Sequence, residues 1–285
     1  MTTSRRPWIG TSWKMNKTRD EARSYLRRLS EWAATSTLDA TIAVFPPFTA
    51  LAESAQELER SGARAAADPS GPRIWLGAQN MHWQQAGAQT GEVSAAMLID
   101  CGAELVEIGH FERRRSFNET DESVNLKVRS ALAAGLRPVV CIGESEQDVH
   151  YGVAAEVVAT QVRIALHGLE AAELGQVTFA YEPGWAIGVG GREAPSEIVA
   201  VTHAAIRQAV RAAHGDIAAE TIRIVYGGSV RLDNSAAYAD LAGVDGLFVG
   251  RDALDVERFI GIVETFCTAR SDAGAAPSHT KGTLA

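Results

Sequence analysis

Three cysteines in 285 residues (Cys101, Cys141, Cys267) are too few, and too irregularly placed, for a disulfide framework or a zinc site. They suit buried thiols in a reducing compartment. Positive charge is also in deficit: Lys and Arg number 27 against 35 Asp and Glu, a net charge of −8. That balance argues against nucleic acid or an anionic membrane as the main partner, and an anionic ligand would need a local positive site. No apolar run is long enough to span a bilayer, and residues 1–6 lead straight into a strand candidate without a signal-peptide core. The chain therefore reads as soluble and cytoplasmic. No Gly-x-Gly-x-x-Gly turn follows the first strand, which weakens the case for an open doubly wound sheet.

What is present is ordinary globular material, 46% hydrophobic and 22% charged, enough for a sizeable core. Eight short runs, most of them continuously apolar, read as strands covered on both faces. They are Trp8 to Trp13, Thr41 to Phe45, Arg73 to Ala78, Glu104 to Gly109, Arg137 to Ile142, Val177 to Tyr181, Ile222 to Tyr226 and Gly246 to Gly250. Helical periods fill the gaps. Thr18-Arg-Asp-Glu21 is a capping box ahead of an apolar stripe; Thr120 opens a helix closed by Gly135, Ser196 one closed near Gly215, and Val256 begins the last. Eight strand–helix units predict an α/β chain of parallel strands, closed as a single (β/α)8 barrel over residues 1–270. Ser61 to Pro72 reads as a long loop. Ser271 to Ala285 has no hydrophobic face and reads as a disordered tail.

One stretch, Phe179 to Pro195, organises the rest. Glu182 sits where a buried strand ends, Pro183 stops the ladder, and Gly188, Gly190 and Gly191 follow within a few residues. A general base under a lid fits this pattern; so does a helix-capping Glu in an ordinary loop. Other polar residues fall at the same end of their strands: Lys14, His110, Gly227-Gly228-Ser229 and Gly250-Arg251. In a barrel of this kind a site is built there. A carboxylate can take a proton from carbon beside a carbonyl, a neutral imidazole can polarise the carbonyl, and an ammonium can offset the developing charge. Glycine-bearing turns can bind phosphate through backbone N–H groups. This chemistry calls for no metal and no cofactor.

Six motifs, in order from about Pro7 to Cys267, resemble those of the triosephosphate isomerase family. They are Trp-Lys-Met-Asn (13–16), Gly-Ala-Gln-Asn (77–80), Gly-His-x-Glu-Arg-Arg (109–114), Cys-Ile-Gly-Glu (141–144), Tyr-Glu-Pro-x-Trp-Ala-Ile-Gly (181–188) and Tyr-Gly-Gly-Ser-Val (226–230). The resemblance implies Glu182 as base, His110 as electrophile, Lys14 as cationic stabiliser, and phosphate docking at Gly188, Ser229 and Gly250. The pairing of a carboxylate with a neutral imidazole, and a closing loop, are that family's known properties rather than readings of spacing. The run at 87–92 is similar to the loop with which family members reach a neighbouring subunit. It favours a homodimer through Gln84–Gly91, with Thr90 near the partner's Lys14.

Several positions depart from the family pattern. Ser12 stands for an Asn near the reacting oxygens, and Arg251 for a Gly beside the phosphate, where it would crowd that group or fork onto it. Phe111 stands for a Ser, Gly184 for a branched lid residue, and Gly191-Arg192-Glu193 for Lys-Thr-Ala. Residues 10–18 with the Gly250-Arg251 step look like a branch that isomerises erythrulose phosphates in tetritol breakdown. The expectation is thus a small phosphorylated sugar, with a lean to four carbons over triose phosphates. A barrel that binds phosphometabolites without turnover is the distant alternative.

Overall fold

The computed structural model describes residues 5–63, 71–188 and 190–275. Eight parallel strands close on themselves in sequence order: β1 (Trp8–Ser12), β2 (Thr41–Phe45), β3 (Arg73–Ala78), β4 (Leu105–Ile108), β5 (Arg137–Ile142), β6 (Thr178–Tyr181), β7 (Arg223–Tyr226) and β8 (Gly246–Val249). Closure comes from β1 pairing with β8, Trp8 opposite Gly246. Every strand anticipated from the apolar runs is present, so the single (β/α)8 barrel holds.

Helices wrap the outside: α1 (Arg19–Thr35), α2 (Phe48–Arg60), α3 (Ala95–Asp100), α4 (Phe111–Ser116), α5 (Asp121–Ala134), α6 (Glu146–His150), α7 (Ala154–Ala165), α8 (Ser196–Thr221) and α9 (Val256–Ala275). Thr18 and Glu21 form the expected capping box, and Gly135 ends α5 in the left-handed conformation. Gly215 interrupts α8, close to the expected end. One crossover differs. Between β7 and β8 only a 3-10 turn, Ser235–Tyr238, forms. Asn234 Oδ1 accepts the backbone N–H of Arg231, a local side-chain bond that competes with helix growth. Helix α9 continues through Ser271 to Ala275, so the polar tail cannot begin before residue 276, and 276–285 lie outside the described residues. So does most of the expected loop at 61–72, where residues 61–63 form a turn.

Alternation along each strand sends one set of side chains outward to the helices and the other into the barrel. The inner set includes Trp8, Phe45, Leu105, Cys141, Val225 and Phe248. Phe45 and Phe248 meet edge to face at 5.5 Å between ring centres. Gly77 makes room for the first: a β-carbon there would lie 2.2 Å from the Phe45 ring. The lumen is therefore filled by side chains, and chemistry is left to its C-terminal rim.

Candidate active site

All eight residues expected at the site line one cleft of about 670 Å³ at that rim. Ser12 ends β1 and Lys14 follows it; His110 follows β4, Glu182 β6 and Ser229 β7. Gly250 and Arg251 follow β8, and Gly188 lies in the loop after β6.

Each candidate group is held by a specific contact. Lys14 has a positive φ of 53°, and the Gln79 amide donates to its carbonyl at 3.1 Å and to that of Phe45 at 2.8 Å. Lys14 Nζ pairs with Glu112 Oε1 at 2.9 Å, both side chains about one-third exposed. Such an open pair contributes little to stability and leaves the ammonium free to turn to a ligand. His110 caps α4: its Nδ1 accepts the N–H of Glu112 at 3.1 Å. That bond assigns the proton of the neutral ring to Nε2. Burial, then the charges of Lys14, Arg113 and Arg115, hold the imidazole well below its ordinary pKa, so it is neutral at physiological pH. Nε2 lies 3.4 Å from Glu182 Oε2, an oxygen that makes no hydrogen bond among the described residues. Burial, reinforced by Glu107, pushes Glu182 up to about 8, while Lys14 pulls the other way. The arrangement joins a strong, desolvated base, an uncharged N–H donor and a nearby cation in one cleft.

A further carboxyl lies against this group, and the sequence reading passed over it. Glu107, in the middle of β4, is buried and accepts the Ser12 hydroxyl at 2.7 Å. The Cys141 thiol donates to its other oxygen at 3.8 Å. Donor atoms of Glu107, Cys141 and Glu182 lie within 4.8 Å of one another. Burial pushes Glu107 up to about 7 and the Cys141 thiol well above its ordinary value. All three groups favour keeping protons, which argues against the cluster holding a cation. Its signal in the sequence was an acid inside an apolar strand, since carboxylates are almost never fully buried without a partner.

The family profile described as triosephosphate isomerase matches residues 7–266. The chain belongs to the triosephosphate isomerase family. It is accordingly an isomerase. Similar curated proteins include an L-erythrulose-1-phosphate isomerase from Brucella abortus, 43% identical over 92% of this chain and 96% of its own length. A triosephosphate isomerase from Rubrobacter xylanophilus is also 43% identical, over 93% of this chain and 98% of its own. An L-erythrulose-1-phosphate isomerase from Rhizobium etli is 41% identical over 90% and 91%. Overall identity does not separate the two substrates.

The departures from the family pattern turn out to be paired in space. Ser12 is bonded to Glu107. Gly184 faces Phe111, whose ring would sit 2.3 Å from a β-carbon at 184, so the aromatic ring takes the space a branched lid residue would use. Arg251 donates to the Gly188 carbonyl at 2.9 Å, tying the β8 end to the loop after β6. Arg192 pairs with Glu146 at 2.7 Å and Arg231 with Glu193 at 2.9 Å, both exposed. Ser229 Oγ donates to the Ala186 carbonyl at 2.7 Å. Glu144, buried beneath the lid, accepts from Trp185 Nε1 at 2.9 Å and from the Tyr181 hydroxyl at 3.1 Å.

Proposed function

We propose that this enzyme moves a carbonyl along a short phosphorylated sugar through an enediolate, with Glu182 as the carbon base. His110 Nε2–H polarises the carbonyl and relays protons between neighbouring oxygens, and Lys14 offsets the negative charge that develops. Gly188, Ser229, Gly250 and Arg251 receive the phosphate, the last by turning its guanidinium from the lid carbonyl to the anion. The observation that carries this reading is the approach of His110 Nε2 to Glu182 Oε2 with Lys14 on the same cleft wall. Residues 1–270 act as one catalytic unit, and the working form is a homodimer through Gln84–Gly91.

For the substrate we favour four carbons, L-erythrulose 1-phosphate and D-erythrulose 4-phosphate. There the carbonyl moves between two internal carbons, and a hydroxymethyl group must fit beyond them. Ser12 is short and its hydroxyl is committed to Glu107, which leaves room that an Asn would fill. Triose phosphates are the second reading, supported by the equal identity to the Rubrobacter relative. Rates on dihydroxyacetone phosphate and on the erythrulose phosphates decide between them. The purified protein should turn over a tetrulose phosphate faster, and Glu182→Gln should abolish turnover of both. A faster triose reaction would give the second reading; full activity in Glu182→Gln would remove the base.

A further inference from the structure

Three groups meet under the cleft floor where one base would suffice. Glu107 follows the inward-facing Leu105 by two residues, so strand alternation aims it into the barrel beneath Glu182. Ser12 fixes one of its oxygens and Cys141 the other. A carboxylate oxygen of Glu182 stands within 4.8 Å, and both acids are at least nine-tenths buried. We propose that Glu107 is a positioning residue whose negative charge, held beneath Glu182, keeps that base strong enough to deprotonate carbon. This rests on the reading of Glu182 as the base.

The surroundings leave the pair to settle its charge internally. From the β1 end the facing charge is Lys14, and from α4 it is Glu112; these oppose one another and are already paired. His110, beyond β4, is neutral, and the Cys141 thiol of β5 keeps its proton. Arg114 from α4 is paired with Asp121 and donates to the Gly109 carbonyl at 2.7 Å and to the Cys141 carbonyl at 3.4 Å. The uncharged Gln79 follows β3, and Gly227, just after β7, lies against the Glu182 chain. Two like charges this close and this dry repel, so the doubly ionised pair takes up a proton readily, and that readiness makes Glu182 a strong base. The burial that raises Glu107 and the charge it lends Glu182 agree in direction with that geometry.

The test is the pH profile of kcat/KM on whichever of the two phosphosugars the enzyme turns over. Glu107→Gln keeps shape and removes the charge. Its acid limb should move at least about one unit lower, with the plateau down by roughly tenfold because the base is weaker. Glu107→Asp retains a carboxyl and should hold the limb within about half a unit of wild type. Ser12→Ala removes a bond that favours ionised Glu107, so the proton settles there and the limb moves down, by less than in Glu107→Gln. An unmoved limb in folded Glu107→Gln overturns the proposal, as does Glu107→Asp shifting as far as Gln. Should Glu107→Gln not fold, an unmoved limb in Ser12→Ala overturns it. Loss of the base reading shows separately, as activity persisting in Glu182→Gln.

Discussion

As the proposed base, Glu182 must be ionised to accept a proton, yet its burial favours the protonated acid, and that conflict has a signature in stability. An acid whose folded pKa is raised contributes stability that is lost as pH climbs through the folded value. Glu182 at about 8 and Glu107 at about 7 both stand above the ordinary 4.5. Two buried histidines act in the opposite sense: His110 is lowered and His203 lies at about 4, so their contribution grows as pH rises toward 6.5 and is complete above it. Between about 6.5 and 8 the carboxyls act alone in this pair of opposing effects. The urea midpoint should therefore fall across that window. Glu182→Gln, which cannot ionise, should show a visibly flatter curve; an equally steep fall in that variant would mean the carboxyl ionises in contact with water. The clustering of Lys14, His110 and Glu182 in one cleft was legible because polar groups at strand ends stand out against apolar runs. Glu107 was not, since its strand was read as a whole and its partners, Ser12 and Cys141, come from other strands.

At the scale of elements, the lid after β6 and the short helix α4 are fitted to one another. Phe111 opens α4 and its ring lies against Gly184, the first residue of the lid's 3-10 turn. Gly184 N–H also donates to the Glu144 carbonyl at 2.8 Å, so the backbone there has little room to retreat. Gly184→Val should overpack the contact at a cost of about 1–3 kcal/mol and displace the lid. The measurements are thermal unfolding and kcat, both of which should drop. Adding Phe111→Ser should recover most of each; recovery of neither would show that the two positions are independent. The strands themselves were legible from continuous apolar runs, whose ends moved by no more than a residue. The crossover after β7 was not, because the Asn234 side chain decides it locally. The Phe111–Gly184 fit was also hidden, since both positions looked like unrelated departures until the fold brought them together.

Across the whole molecule, barrel closure followed from counting strands, but a single chain says less about what its loops are for. Residues 84–92 stand exposed on the surface, held mainly by bonds within the loop, such as Gln89 Nε2 to Gln84 Oε1 at 3.2 Å. At the foot of this loop the His82 and Trp83 rings stack at 4.1 Å, bracing it from one side. Met15, beside Lys14 with its positive φ, is 97% exposed, an unusual state for a large apolar side chain at the rim of a cleft. A second copy covering Met15 with the projecting loop would bury that side chain and hold Lys14 from the far side. The expected state is therefore a homodimer whose activity depends on assembly. Thr90→Arg should break it by placing a long charge against the partner's Lys14. Sedimentation should then report a monomer, with kcat falling at least about tenfold because Lys14 is no longer held in a reactive geometry. A wild-type monomer with full activity at micromolar concentration would instead make the loop an idle projection and leave Lys14 positioned by Gln79 and Glu112 of its own chain.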